Sequence, residues 1–295
     1  MTTLVNRRSI VVGVDGSSTA VAAARWAAEL AARQHEQLVL VCVAPDLGYR
    51  HTASALAETE ILPRLRTTAE HKVAEAASVV HRDRPKLKIT ETVAEGTPAQ
   101  QLIEYSTTAR MVVMGANSVG RAGTVLLGST ALRVANHASC PVAVWRGDVE
   151  RPRPDSRPIM VGVDGHPGGE AAVDLAFELA ALLRVDIIAV HAWYDPALLH
   201  WNVPADVWAV LADQEEVVLA ERMAGWRGKY PDVCISRITH NGSPAEAMLT
   251  YAIRAQLMVT GSHGRNRVTG LLLDSVSQNL LHHAPCPTII CHDQH

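Results

Sequence analysis

Neither sign of charge dominates this chain: 27 lysines and arginines face 30 aspartates and glutamates, a formal net charge of −3. That balance removes the basic footprint of a protein that binds nucleic acid or an anionic membrane, and leaves small molecules and other proteins as the expected partners. Long apolar runs are missing too. The most apolar stretch, from Ala171 to Trp193, is broken by Asp174, Glu178, Arg184 and Asp186, so no membrane span is expected. The opening MTTLVNRRSIVVGVD leads into a strand without an apolar signal segment, and a cytoplasmic location is the resulting expectation. The cysteines, Cys42, Cys140, Cys234, Cys286 and Cys291, form no C-x-x-C pair. Their odd number and their mostly apolar, strand-like surroundings suit buried thiols in a reducing compartment better than a disulfide framework. His282, His283, His292 and His295 match no ligand spacing, so no metal site is assigned.

The signatures of several nucleotide and hydrolytic enzymes are absent as well. There is no G-x-x-x-x-G-K-[ST]: the single Gly-Lys pair, Gly228-Lys229, is followed by Tyr230 and preceded by Met223 where the first glycine belongs. No G-x-G-x-x-G argues for a dinucleotide, and no H-E-x-x-H or G-x-S-x-G argues for hydrolysis. No catalytic residue is assigned.

What the chain does contain, it contains twice. SIVVGVDGS, ending at Ser17, returns as PIMVGVDGH, ending at His166, and the run from Met111 through Gly115 returns from Leu257 through Gly261. Asp15 to Asp164 spans 149 residues and Gly115 to Gly261 spans 146. One unit, duplicated and fused, explains both offsets. With 295 residues, 48% of them hydrophobic, each half can bury its own core. Gly147–Pro158 has three prolines and no apolar period, which reads as a semi-stiff linker between domains at 1–147 and 156–295.

Strand-like and helical stretches alternate in both halves, the pattern of a parallel sheet covered on both faces. The strands are expected at Ile10–Asp15, Leu38–Ala44, Leu87–Ala94, Arg110–Ala116 and Pro141–Trp145, then at Ile159–Asp164, Asp186–Ala192, Cys234–His240, Leu257–Ser262 and Pro287–Cys291. The fold class is therefore α/β, two tandem doubly wound domains of five parallel strands. An apolar last strand needs covering, and its duplicate is the nearest matching edge, so the halves are expected to pair as a pseudo-dimer through these strands. Gly96-Thr97-Pro98-Ala99 and Gly242-Ser243-Pro244-Ala245 each predict a helix start, with a hydroxyl N-cap and proline at the first helical position.

In such sheets ligands bind at the C-terminal ends of the strands. Asp15 and Asp164 end the first strands there, and Gly115 and Gly261 end the fourth, ahead of loops that feed helices. Such a loop presents free N–H groups and a positive dipole end to a phosphate, while an acid across the crevice accepts from a ribose hydroxyl or an adenine amine. The plainer reading of each Asp is a turn former before a helix.

The VGVDGS opening, the Gly-(Ser/Thr)-Pro-Ala turn, the Gly-ending fourth strand, the LLGS element and the Cys-Pro-Val start of the last strand resemble the universal stress proteins, in the tandem form common in actinobacteria. The resemblance runs from about Ile10 to Ile290. ATP-binding members carry G-x2-G-x9-G-(S/T) after strand four. Here the first copy reads Gly115, Ser118, Gly128-Ser129, and the second reads Gly261, Gly264, Asp274-Ser275. The resemblance implies that Asp15 and Asp164 contact adenine or ribose and that the backbone near Val43 and Ala192 reads the adenine edge. It also implies that Gly115, Ser118, Gly128 and Ser129, and Gly261, Gly264 and Ser275, hold phosphates, with Arg121, Arg265 and Arg267 nearby.

Each copy departs from the pattern once. Ser118 costs about 1 kcal/mol if its position needs a left-handed backbone, and its hydroxyl can itself donate to phosphate. Asp274 brings a charge to an anion site. Two like charges about 4 Å apart at an effective dielectric of about 20 repel by roughly 4 kcal/mol, about a thousandfold in affinity, unless Mg2+ bridges them. One ATP per chain is expected, with Asp274→Gly creating or strengthening a second site. The leading functional reading is a cytoplasmic ATP-binding protein of stress response or signalling whose nucleotide biases contact with an unidentified protein partner, with a homodimer of the full chain expected. A slow nucleotide hydrolase or nucleotidyl transferase, and an interaction module that has lost its nucleotide, remain the alternatives.

Overall fold

The computed structural model describes residues 8–45, 55–116, 127–164, 169–193, 204–262 and 275–292. The chain divides into two compact units, Met1–Pro154 and Asp155–His295. The first runs β1 (Ser9–Gly13), α1 (Ser18–Gln34), β2 (Gln37–Ala44), α2 (Ala55–Asp83), β3 (Ile89–Glu95), α3 (Pro98–Ser106), β4 (Met111–Gly115), α4 (Ser129–His137) and β5 (Val142–Trp145). Its strands pair in parallel in the order β3-β2-β1-β4-β5. The second runs β6 (Ile159–Gly162), α5 (Glu170–Leu183), β7 (Ile187–Trp193), α6 (Ala205–Lys229), β8 (Ile235–Asn241), α7 (Pro244–Tyr251), β9 (Leu257–Gly261), α8 (Ser275–His283) and β10 (Thr288–Cys291). Its parallel order, β8-β7-β6-β9-β10, is the same topology.

The strands at the centre of each unit are buried because their apolar runs are nearly continuous. Ile10, Val11 and Val12 of β1 and Val112 and Val113 of β4 are all at most 1% exposed, as expected of a sheet covered on both faces. In the first unit α1 and α2 pack against each other on the sheet, and α3 and α4 pack together. In the second, Phe177 of α5 stacks on Trp226 of α6 at 5.4 Å and on Tyr230 at 5.6 Å. The other side of that sheet is closed by Ala247, Met248 and Leu280 of α7 and α8 over Met160 and Ile188.

Local chemistry fixes the element ends. Ser17 caps α1 by accepting the Ala20 N–H at 3.2 Å, and His35 ends it in the left-handed conformation with φ 56. Thr97 and Ser243 stand at the predicted N-cap positions of α3 and α7, but neither side chain makes a capping hydrogen bond. These starts are set instead by Pro98 and Pro244, whose fixed φ suits the first turn and whose missing N–H needs no partner. Pro141 and Pro287 lie just outside the strands expected to contain them. With no N–H to give, each contributes only its carbonyl, which accepts from Val112 at 3.0 Å and from Met258 at 2.9 Å. After α7 the chain tightens into a 3-10 turn at Ala252–Arg254. Four cysteines are buried as expected, and burial pushes the Cys140 thiol up to about 12. Cys234 differs: it precedes the edge strand β8 and is exposed, while its carbonyl accepts from Ile187.

The segment between the repeats is anchored to the second unit at its end. The Gln256 side chain, 6% exposed, accepts the Asp155 N–H at 2.9 Å and donates to the Asp155 and Arg157 carbonyls. In the first unit Glu29 of α1 is buried and accepts from Arg33 Nε at 3.0 Å and from Nε and Nη2 of Arg84. Burial opposes its ionisation, but hydrogen bonds and charge from Arg84 and Arg33 outweigh that and hold its carboxyl below the ordinary value of 4.5. A carboxyl depressed in the folded state stabilises above its unfolded pKa and loses that contribution as pH falls through the folded one. Glu29→Gln should therefore lower the stability read by urea denaturation by about 2 kcal/mol at pH 7, with the gap narrowing below about pH 4.

Candidate functional site

The order β2-β1-β4 reverses direction of growth between β1 and β4, and that reversal opens a crevice at the C-terminal ends of the strands. In the first unit a cavity of about 240 Å³ lies there, with Asp15, Cys42, Val43, Lys72, Gly115 and Gly128 among its walls. Four of the predicted residues, Asp15, Val43, Gly115 and Gly128, are thus brought together. Ser129 is the first residue of α4, directly after Gly128. Ser118 and Arg121 lie outside the described residues. A larger depression of about 770 Å³ at the other end of the sheet, beside His35, Lys86 and Lys88, gathers none of them.

Asp15 has two duties. One carboxylate oxygen accepts the Ser17 N–H at 2.9 Å, closing a turn in which Gly16 takes φ +87. This is the turn-forming role that an Asp before a helix commonly has, and the same carboxylate also lines the cavity. Gly128 is the N-cap of α4, with an ordinary φ of −67 and no side chain to cap it. What the position supplies is the absence of a side chain. The first N–H groups of a helix have no intrahelical partner, so the head of α4 meets the cavity with donors and a positive dipole end.

Lys72 and Cys42 escaped the sequence reading. Lys72 sits on α2, and its stem lies over Gly16, where an added Cβ would stand 3.2 Å from Lys72 Cγ and Cε. Burial raises the Cys42 thiol, Asp15 adds to the rise, and the Lys72 charge opposes it. The cavity therefore has a cation and a carboxylate on its walls. A lysine in a long, mostly exposed helix carries no sequence mark of this role.

In the second unit Asp164 follows β6, and a Cβ added at Gly169 would stand 2.7 Å from its Oδ1. Gly261 ends β9, its carbonyl accepting the Ser277 hydroxyl at 2.8 Å. Ala192 lies half-buried in β7, and Ser275 begins α8. Gly264, Asp274, Arg265 and Arg267 lie outside the described residues. His191, a single polar residue within the apolar β7, is buried, with Nδ1 2.7 Å from the Val163 carbonyl and Nε2 3.0 Å from Glu215 Oε2. Among the described residues no group of three or more His, Cys, Asp or Glu side chains is placed to hold a metal ion, and no helix is long and apolar enough to cross a membrane.

The sequence pattern described as the universal stress protein family matches this chain twice, at residues 6–146 and 156–292. The chain belongs to the universal stress protein family. A universal stress protein of Mycobacterium tuberculosis is 38% identical over 292 residues, covering 96% of this chain and 97% of its own. One from Mycolicibacterium smegmatis is 35% identical over 286 residues, covering 95% and 96%. Among solved structures, a universal stress protein from Archaeoglobus fulgidus covers 97% of this chain and 98% of its own, with a TM-score of 0.68 at 18% identity, a likeness of fold.

In this universal stress protein the glycine that ends β4 has a reason apart from any ligand. A Cβ at Gly115 would fall 2.7 Å from the Thr19 backbone carbonyl and 2.9 Å from the Ala20 nitrogen, in the first turn of α1. Backbone cannot rotate aside, so α1 would have to lift from the sheet. Gly115→Ala should lower stability by about 2 kcal/mol or more in thermal or urea unfolding, whether or not a nucleotide is added.

Proposed function

We propose that this universal stress protein binds an adenine nucleotide, ATP, in the cavity of its first unit and acts in stress response or signalling through nucleotide-dependent contact with a protein partner. A cytoplasmic location and a homodimer of the full chain belong to the same proposal. The observation that carries it is the convergence of Asp15, Val43, Gly115 and Gly128 on one cavity at the head of α4. A volume of about 240 Å³ lies just under the range of about 300–1,000 Å³ usual for small-ligand sites, and suits the nucleoside end of the ligand.

The residues present fit the group. The open N–H groups of α4 and the Lys72 ammonium favour phosphates. The Asp15 carboxylate offers an acceptor to a ribose hydroxyl or the adenine amine, and the walls of Val41 and Val43 give an apolar seat to the base. Mg2+, if it accompanies the nucleotide, would be held chiefly by phosphate oxygens and water. The proposed role is occupancy that biases partner contact.

Calorimetric titration with ATP tests this directly. The parent chain should take up about one nucleotide. Asp15→Asn keeps the acceptor that closes the turn but replaces the ionised carboxylate, and should weaken binding about tenfold. Lys72→Ala removes the cation and should weaken it by a similar factor. Gly128→Glu fills and charges the head of α4 and should weaken it about a thousandfold without unfolding the chain. Undiminished affinity in the Gly128 variant would overturn the assignment.

A further inference from the structure

The duplication gives each surface of one unit a counterpart in the other. The turns that end the two long helices match: Arg84 donates to the Val80 carbonyl and Leu87 to that of Arg84, as Tyr230 donates to the Trp226 carbonyl and Val233 to that of Tyr230. α2 and α6 therefore align residue for residue, Val80 with Trp226. Val73 and Ala77 of α2 fall on Leu219 and Met223 of α6, and all four are buried. The two helices turn the same face to their sheets.

Their outward faces differ. After Ile61, that of α2 carries Arg64, Thr68, His71, Glu75 and Arg82, all exposed and polar. At the positions aligned with Ile61, Arg64 and His71, α6 carries Val207, Val210 and Val217, and the last two are 56% and 57% exposed. The first unit folds with a polar surface here, so the fold does not require these valines. A valine on the solvent side of a helix adds neither helix propensity nor burial. The three lie on one line with Gln214, Glu221, Ala224 and Gly228, at steps that alternate between three and four residues. That alternation is the seam along which one helix packs on another.

The charges beside the seam say which helix fits. Asp206, Asp213 and Arg227 each stand one residue before a seam position and recur at multiples of seven residues, so they share one flank. Other charges of α6 are engaged within the unit: Glu215 with His191, Glu216 with Arg237 and Lys229 with Asp174. Asp206, Asp213 and Arg227 are exposed, and among the described residues none of the three is in an ion pair. The flank is acidic in the first half of α6 and basic near its end. A second α6 running the same way would set Asp206 against Asp206 and Arg227 against Arg227. One running the opposite way sets Asp206 of each chain beside Arg227 of the other, once on each side of a two-fold axis.

We propose that the outward face of α6 is a self-association surface, which pairs antiparallel with α6 of a second copy of this chain. The proposal rests on the homodimer reading above and names the surface that makes it. α6 has 25 residues, about 38 Å at 1.5 Å per residue. One seam of that length is a small interface, suited to association at micromolar chain concentrations.

Sedimentation equilibrium of the full chain tests this. The parent should dimerise with a Kd of about 10 μM. Val210→Asp combined with Val217→Asp should raise the Kd at least about a hundredfold, with an unchanged circular dichroism spectrum, because both positions are exposed in the single chain. Asp206→Arg alone and Arg227→Asp alone should each raise it about tenfold, since either sets like charges against each other. The two together exchange the charges and should return the Kd to within about threefold of the parent. A dimer that survives the two aspartates overturns the α6 seam and leaves the homodimer reading standing on another surface. Single charge variants that keep the parent Kd, or an exchanged chain that does not recover, overturn the antiparallel pairing. A parent chain that stays monomeric at about 100 μM overturns the homodimer reading and this proposal together, and leaves the valine face to a different protein.

Discussion

The close approach of α1 to the sheet is the constraint on which the first unit depends. The buried face of α1 is made of Ala20, Ala23, Ala24, Ala27, Ala28 and Ala31 with Trp26 and Leu30, and at its first turn even a methyl group on the facing strand would clash. Small residues let helix and strand backbones approach, and dispersion and burial reward the close packing. Because α1 is pinned at its N-terminus against the end of β4, the turn Asp15-Gly16-Ser17 that feeds it has one place to go. The Asp15 carboxylate is carried to the cavity as a consequence of how the helix is seated. Fold and site share the same residues here, so Gly115 and Asp15 each serve the packing of α1 as well as the cavity wall.

The opposite face shows the same economy. Gly13 at the end of β1 would meet Leu102 of α3 at 2.9 Å with an added Cβ, and Gly162 at the end of β6 would meet the Met248 sulfur of α7 at 2.9 Å. The first glycines of the two VGVDG runs thus let α3 and α7 come down on this face at the C-terminal rim. There the side chains touched are flexible ends, which give way more easily than the backbone facing Gly115.

Duplication supplied two equal frames, and the units then diverged inside them. The topology, the turn hydrogen bonds and the proline-led starts of α3 and α7 agree between the copies. What differs is the chemistry at the rim: where the first unit has the Cys42 thiol, the second has the His191 imidazole, bonded to Glu215. Changes of this kind leave the core intact because the residues sit at strand ends and on covering helices, outside the alanine- and valine-packed centre. Such positions are where a site can change its ligand without loss of fold.

Much of this was legible in the chain itself. The apolar runs at Ile10 and Met111, repeated at Ile159 and Leu257, are periodic signals that local chemistry makes readable, and so are the glycines and prolines that punctuate them. The convergence of Asp15 with Gly115 and Gly128 followed from strand ends sharing one rim. Lys72 and Glu215 were not legible, since each is one charged residue on a long helix, and only the rotation of that helix on the sheet decides which charges face the site. His191 was not singled out either, since its partners, Val163 and Glu215, lie 28 and 24 residues away in sequence. The sequence by itself determined the repeat, the strand and helix order and the family, because these rest on periodicity and on short motifs. Only the tertiary structure decided which side chains form the walls of the first unit's cavity and which meet around His191 in the second, because that depends on contacts between distant segments.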